Sequence, residues 1–309
     1  MLVEDLCYRF LKVTELAAFE AYQFAGRADE KGADKAAVNA VRSALNAMDI
    51  DGRVVIGEGE RDKAPMLYCG EKVGKGGISL DIAVDPLEGT TTCASYKDGA
   101  MSVIAVAERD SLLQAPDVYM DKIAVGPGLP LGVISLQNDL KTNMGNLADA
   151  RECDVSDLVA VVLKRERHDS LIGELRALGA RIRLIDDGDI GAVISMIRGE
   201  SDICLGIGGA PEGVLSAVAL AAVGGQIYGK LVLNTPELRS RAAECGIEDC
   251  DKSYSVADMV RGDAFFVATG ITDSTLLGGI RFDDNSWETD SIIFAPGGAV
   301  MQVRHAHQL

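Results

Sequence analysis

The chain has 309 residues, 48% of them hydrophobic and 25% charged, enough for one large core or two modest ones and incompatible with a disordered chain. Its formal charge of −17 excludes a nucleic-acid partner, because nothing would neutralise a phosphate backbone. The same charge would repel a phosphorylated small molecule unless metal cations invert the local field.

Near Met1 stand Glu4 and Asp5 with no long apolar run, which argues against a signal peptide. A helix is expected from Leu2 to Ala25, followed by a polar turn. Asp34 then opens a second helix whose Ala37, Val41, Leu45 and Met48 recur every three or four residues and form one buried face. Strands follow at Arg53 to Ile56, Leu80 to Val84 and Met101 to Ala107. The Gly126-Pro-Gly-Leu-Pro130 stretch and the polar region from Asn138 to Asn146 read as connections. A domain boundary is expected near residue 150, giving halves 1–150 and 151–309.

From Val159 to Gly224 the pattern alternates. Val159-Ala-Val-Val-Leu163, Arg181-Ile-Arg-Leu-Ile185 and Ile203-Cys-Leu-Gly-Ile207 read as short buried strands. Helices at Ser170 to Leu178, Asp189 to Arg198 and Gly213 to Val223 separate or follow them. This rhythm predicts parallel strands joined by crossovers, with a ligand beyond their carboxyl ends. Those ends carry Lys164 to Asp169, Asp186 to Asp189 and Gly206 to Glu212. After Gly225 the expectation is a strand at Ile227 to Leu233, a helix from Pro236, a strand at Ala264 to Ala268 and a hairpin around Ile292 to Val303. The longest apolar stretch, Val214 to Val223, is too short to span a bilayer. Seven cysteines, without a C-x-x-C pair, fit neither a disulfide framework nor a zinc knuckle and point to the reducing cytoplasm.

Asp85-Pro-Leu-Glu-Gly-Thr90 is the first candidate for chemistry. Asp85 emerges where Pro86 is expected to stop the strand, and Glu88, three residues on, can share a cation with it. Gly89 and Thr90 stand at a helix start whose free amides suit an anion. Carboxylates, amides and a hydroxyl together are what phosphoryl hydrolysis uses; a solvated strand-to-turn is the plainer alternative. Glu58, in Gly57-Glu-Gly-Glu60, has the same strand-end placement, and Asp34 and Glu212 stand at helix starts where each could equally be a cap or a dipole partner.

Val54-Val-Ile-Gly-Glu-Gly-Glu-Arg-Asp-Lys-Ala-Pro-Met-Leu-Tyr68 followed by Asp81-Ile-Ala-Val-Asp-Pro-Leu-Glu-Gly-Thr90 resembles the class II fructose-1,6-bisphosphatase family. So do Ala115-Pro-Asp-Val-Tyr119, Arg167-His168, Asp187-Gly-Asp189 and Gly206-Ile-Gly-Gly-Ala-Pro-Glu-Gly213, in the family's order and from about Gly26 to Ile280. The D-P-x-E-G-T core alone also occurs in inositol-monophosphatase-like phosphatases. The resemblance implies a layered α-β-α-β-α sugar-phosphatase fold in the α/β class and removal of the 1-phosphate of fructose 1,6-bisphosphate. It implies Mg²⁺ or Mn²⁺ held by residues matching Asp34, Glu58, Asp85, Glu88 and Glu212, with Thr90 and Asp34 orienting the attacking water. Substrate contacts would match Glu88, Gly89, Thr90, Tyr119, Arg165, Glu166, Arg167, Asp187, Gly188, Asp189 and Gly209. The first half would then bind metal and phosphate and the second half the sugar, in a homo-oligomer, a dimer or tetramer. Some relatives also accept sedoheptulose 1,7-bisphosphate. Asp29-Glu-Lys-Gly-Ala-Asp34 departs from the family's Asp-Lys-Asn-Thr-Ala-Asp, with the lysine shifted and the threonine absent.

Other motifs are weaker. Gly206-x-Gly-Gly-x-x-x-Gly213 misses the dinucleotide-binding spacing. His305 and His307 form an H-x-H that reads as tail residues rather than ligands, and Cys93 reads as a buried, inert thiol. A phosphatase for another small phosphate ester and a non-catalytic sugar-phosphate-binding module are the alternatives; Arg165 with Arg167 favours a two-ended bisphosphate over the first, and the acid set with Thr90 argues against the second.

Overall fold

The structure, a computed structural model, describes residues 2–57 and 66–308, with side chains from residue 5 onward. The chain divides into two units, one formed by residues 1–113 with 261–309 and the other by residues 114–260. Residue 150 ends a helix inside the second unit.

In chain order the first unit opens with α1 (Leu2–Tyr22), α2 (Glu30–Ala47), β1 (Ile50–Ile56), β2 (Lys72–Val73), β3 (Ile78–Glu88), α3 (Thr90–Ala94) and β4 (Met101–Glu108). The second unit comprises β5 (Tyr119–Val125), α4 (Leu140–Ala150), β6 (Val159–Leu163), α5 (Asp169–Ala177), β7 (Arg181–Ile185), α6 (Asp189–Ile197), β8 (Ile203–Gly209), α7 (Ala210–Val223), β9 (Gln226–Leu231), α8 (Pro236–Glu244), β10 (Ser253–Ser255) and α9 (Val256–Met259). The first unit is completed by β11 (Ala264–Gly270), β12 (Arg281–Asp283), β13 (Ser286–Ala295) and β14 (Ala299–Gln308).

The first unit is a mixed sheet in the order β12-β13-β11-β4-β3-β1-β2, with β14 along the other edge of β13. Helix α1 lies on this sheet through Phe10, Leu11, Val13, Ala17, Ala18 and Ala21, all essentially inaccessible to water. Burying each of the large side chains contributes about 1.5–3 kcal/mol. Helix α2 packs beside α1 and buries Ala33, Ala37, Val38, Val41 and Leu45 on one face. Its cap is Asp29, whose Oδ1 accepts from the Gly32 amide at 2.9 Å. Asp34 therefore does not open the helix; it stands inside it, because Asp29 supplies the capping oxygen five residues earlier.

The second unit is a sheet in the order β10-β9-β5-β8-β6-β7. Strands β6, β7 and β8 run parallel as their spacing predicts, with β6 between the other two, and helices α5, α6 and α7 fall within three residues of expectation. On one face Ala160, Val162, Ile203 and Leu205 form a core with Met144 and Leu147 of α4 and Ile172 and Leu175 of α5. Val161, between Ala160 and Val162, points to the opposite face, where α6 and α7 pack. Helix α7 is apolar almost all round and is correspondingly buried.

Among the longer elements, β7, α4 and β5 differ from expectation, and the short β2, β10, α9 and β12 were not expected; β7 forms the sheet edge and is largely exposed rather than buried. Asn138 to Asn146 is not a connection: Asp139 caps α4 by accepting from the Thr142 amide at 2.7 Å, and Met144 and Leu147 bury its inner face. Strand β5 was not expected; it lies at the centre of the sheet between β8 and β9. Mixed sheets covered by helices place both units in the α/β class. Among the described residues, no helix is long and apolar enough to cross a membrane.

Candidate active site

In the first unit the site is the end of β3. Pro86 does not terminate the strand, which continues to Glu88 through an irregularity: Asp85 pairs with Val103 and Glu88 with Met101, so three residues of β3 advance against two of β4. A proline without an amide hydrogen is tolerated at such a bulge. The extra residue re-aims the carboxylates. Asp85 is half-buried and Glu88 buried, and one oxygen of each lies within 4.8 Å of the other. Asp85 Oδ1 also accepts from the Leu87 amide at 3.1 Å, fixing the bend.

Gly89 follows with φ of 82°, a left-handed conformation that glycine adopts without strain, and a Cβ there would come within 3.2 Å of the Thr92 side chain. Thr90 starts α3, and its hydroxyl donates to the Leu87 carbonyl over a long 3.3 Å. The turn after α1 is tied to this helix, since the amides of Gly26 and Ala28 donate to the Cys93 and Ala94 carbonyls, and α2, which carries Asp34, packs beside it. Cys93 is fully buried, and burial pushes its thiol up to about 11, so it stays protonated and inert. Asp81, within the same motif, has a structural place: it is fully buried and accepts from Arg53 at 2.8 Å and from the Ser111 amide at 3.1 Å. Glu58 lies outside the described residues.

In the second unit the candidate residues gather around β8. Arg167 donates from Nε and Nη2 to the Ile207 carbonyl at 3.1 and 2.8 Å, and its guanidinium lies 4.7 Å from the centre of the Tyr119 ring. His168 holds the same residue from the other side: its Nε2 accepts from the Ile207 amide at 2.8 Å, so Nδ1 carries the proton and donates to the Leu163 carbonyl at 2.7 Å. Gly206 has φ of 127°, and a Cβ there would come within 2.9 Å of His168 Nε2. Arg165 reaches Asp187 only at 3.9 Å, with both side chains about two-fifths exposed, a contact of small energy. Glu166 is exposed, at the start of the short 3-10 turn Glu166–His168 that follows Arg165. Gly188, with φ of 83°, turns the chain into α6, and Asp189 is that helix's first residue.

Asp189 reveals a residue that the sequence reading missed. Lys122, at an inward position of β5, has a side chain only 10% exposed. Its ammonium pairs with Asp189 Oδ2 and donates to the Gly209 carbonyl at 2.9 Å. Burial works against that charge, but Asp189 and Glu212 outweigh it and hold the ammonium above the usual lysine range. The glycines of β8 make room for this group: a Cβ on Gly208 would strike Asp189 Oδ2 at 2.4 Å, and one on Gly209 would strike Glu212 Oε2 at 1.8 Å. Glu212 sits behind Pro211 in the first turn of α7, as expected. A lysine on the inward face of Tyr119-Met-Asp-Lys-Ile-Ala-Val125 was the available signal.

The first unit thus joins Asp85, Glu88, Gly89 and Thr90, beside the helix that bears Asp34. The second joins Tyr119 with Arg167, and Asp189 with Gly209 and Glu212 through Lys122. A family model described as bacterial fructose-1,6-bisphosphatase, glpX-encoded, matches residues 4–307. The chain is 42% identical to a class 2 fructose-1,6-bisphosphatase of Escherichia coli (strain K12), an alignment covering 99% of this chain and 96% of that protein. It is also 42% identical to a Synechococcus protein named D-fructose 1,6-bisphosphatase class 2/sedoheptulose 1,7-bisphosphatase, over 94% of this chain and 92% of the relative. A Prochlorococcus marinus protein of the same name is 40% identical over the same shares. With the bulged D-P-L-E-G-T strand end and the glycine-lined β8 both inside that match, the chain belongs to the class II, glpX-encoded fructose-1,6-bisphosphatase family.

Proposed function

We propose that the chain hydrolyses the 1-phosphate of fructose 1,6-bisphosphate, yielding fructose 6-phosphate and inorganic phosphate, with Mg²⁺ or Mn²⁺ as cofactor. The family match over residues 4–307 carries this reading. The donor set that the family resemblance implies fits a hard divalent cation, since Asp34, Asp85, Glu88 and Glu212 all offer carboxylate oxygens. Glu58 completes the ligand set that the family resemblance implies. When bound, the cation supplies Lewis-acid stabilisation of the charge on the phosphoryl oxygens.

The protein's own groups do the rest. The Thr90 hydroxyl exchanges its long bond to Leu87 for one to the Asp34 carboxylate, so that its oxygen accepts from the attacking water and orients it. Glu88, with the backbone at Gly89 and Thr90, lines the transferred phosphate. In the second unit Arg167, pinned on Tyr119 and the Ile207 carbonyl, presents a preorganised positive charge to the distal phosphate together with Arg165 and the Glu166 backbone. Asp187, Gly188, Asp189 and Gly209 contact the sugar, and Lys122 acts as a positioning residue by holding Asp189 and Gly209. Seven cysteines without a C-x-x-C pair suit a cytoplasmic enzyme, and we propose that it assembles as a homo-oligomer, a dimer or tetramer, readable by light scattering.

Phosphate release from a panel of sugar mono- and bisphosphates, with Mg²⁺ or Mn²⁺ and with chelator, tests the reading. Fructose 1,6-bisphosphate should be cleaved and chelation should abolish turnover. Turnover that survives thorough chelation refutes the cation's role, and preference for a monophosphate refutes the two-ended recognition. Two relatives carry the sedoheptulose name, so sedoheptulose 1,7-bisphosphate belongs in the panel as a second substrate.

A further inference from the structure

The first unit carries a cluster that phosphate hydrolysis does not use. Glu15 of α1 is buried, with a side chain 1% exposed. Facing it from β14 are His305 and His307, which, two residues apart on a strand, project from the same side. One ligand atom from each of the three lies within 4.8 Å of the others. His305 Nδ1 stands 2.8 Å from Glu15 Oε1, and His307 Nε2 stands 3.7 Å from Glu15 Oε2. Thr289 of β13 donates to Glu15 Oε1 at 3.0 Å and lies 3.3 Å from His307 Nε2.

Glu15 Oε2 is the anomaly. It is shielded from solvent and accepts no hydrogen bond from the described residues, and the His307 nitrogen at 3.7 Å is beyond bonding range. A buried carboxylate oxygen without a partner is costly, and a cation drawn in between Glu15 and the two imidazoles would satisfy it. We propose that Glu15, His305 and His307 bind a borderline divalent cation of the Zn²⁺ class, at a site that uses none of the residues assigned to phosphate hydrolysis.

The chemistry selects the metal. Two imidazole nitrogens and one carboxylate suit Zn²⁺, Co²⁺ or Ni²⁺ rather than the oxygen-preferring Mg²⁺. Tetrahedral Zn²⁺ with ordinary bond lengths spaces its ligand atoms about 3.4 Å apart, and the 2.8 and 3.7 Å separations here bracket that value. The ligands are preorganised: the Trp287 ring stacks on His307 at 3.9 Å and 14°, fixing its plane, and the Thr289 hydroxyl fixes the carboxylate. His307 and His305 are 25% and 36% exposed, which leaves a path for the ion and room for water as fourth ligand. The pairing joins residues 290 apart in the chain and fastens β14, which among the described strands pairs with β13 alone, to the first helix. A clip of that span removes much freedom from the unfolded chain.

The test uses the untagged, full-length protein, stripped with chelator and dialysed. Calorimetric titration with Zn²⁺, and Co²⁺ titration followed by visible absorption, are compared for wild type, the double variant His305→Asn/His307→Gln and Glu15→Gln. The wild type should bind one Zn²⁺ more tightly than the double variant can, by at least about tenfold, with a Co²⁺ spectrum of nitrogen ligation and a higher Tm in Zn²⁺. The double variant should lose that equivalent and the Tm gain while keeping its circular dichroism and its Mg²⁺- or Mn²⁺-supported turnover. Glu15→Gln, which preserves shape, should weaken Zn²⁺ similarly. Equal Zn²⁺ stoichiometry, affinity and Tm response in wild type and double variant would overturn the proposal.

Discussion

Lys122 is the residue on which the second unit's polar groups depend. Its side chain is 10% exposed and its partner Asp189 13% exposed, so neither charge is screened by water. Replacing Lys122 with Met keeps the stem beside Gly213 but removes the ammonium. Asp189 is then a buried charge without its cation, and the Gly209 carbonyl loses its donor. Breaking such a pair costs about 3–5 kcal/mol, to be read as a lower urea midpoint at unchanged m-value. Asp189→Asn should cost less, because an amide still accepts from the lysine. If both residues also set the sugar's position, Lys122→Arg should restore stability more fully than it restores KM.

Thr90 makes the opposite case. Its hydroxyl has one 3.3 Å bond to Leu87, so its loss costs little stability. Thr90→Ala should therefore unfold at nearly the wild-type temperature but turn over about 10²-fold or more slowly, within the usual range for a positioned proton-transfer group. Thr90→Ser, which keeps the hydroxyl, should retain most of the rate. Near-normal turnover in a folded Thr90→Ala enzyme would remove the hydroxyl from the mechanism.

Among the elements, α2 separates a structural carboxylate from a proposed functional one. Asp29 caps the helix and Asp34 lies inside it. Asp29→Ala should lower stability by about 1 kcal/mol with kcat little changed, whereas Asp34→Asn, which keeps the side chain's shape, should abolish most turnover in a folded protein. Thermal melts and initial rates on the same preparations distinguish the two. This pair also shows what a sequence discloses. The β6 to α7 stretch is legible because strand and helix patterns alternate and charged or glycine residues close each strand, although β7, with Arg181 and Arg183 in its run, is an exposed edge rather than a buried strand. Strand β5 is illegible because Asp121 and Lys122 interrupt its apolar pattern, and the partner that permits a buried lysine comes 67 residues later. Helix α4 hides behind polar composition, its two large apolar anchors, Met144 and Leu147, being only three residues apart. The strand-end carboxylates Asp85 and Glu88 were readable as a pair, but not the bulge, since a proline signals the end of a ladder whether or not the strand resumes. His305 and His307 looked like tail residues because Glu15 stands at the other end of the chain.

For the molecule as a whole, charge is the dominant fact. A chain at −17 and its proposed substrate, a sugar bisphosphate, are both anionic, so the long-range field opposes their encounter. Two effects compete near the site. The net charge repels over about 30 Å at 0.01 M salt but only about 10 Å at 0.1 M, while bound divalent cations and Arg165, Arg167 and Lys122 attract at short range. At subsaturating Mg²⁺ or Mn²⁺ the repulsion should win, so raising KCl from about 10 to about 100 mM, which shortens the Debye length roughly threefold, should increase kcat/KM. At saturating cation the local field should win, and the same salt step should leave kcat/KM level or lower it. Steady-state rates on fructose 1,6-bisphosphate at four combinations of salt and metal read the difference directly, with kcat as the internal control because the bound complex is past the encounter. A salt response of the same sign and size at both metal levels would show that cations act only on the chemical step, and that the acidic surface has no part in making the enzyme depend on them.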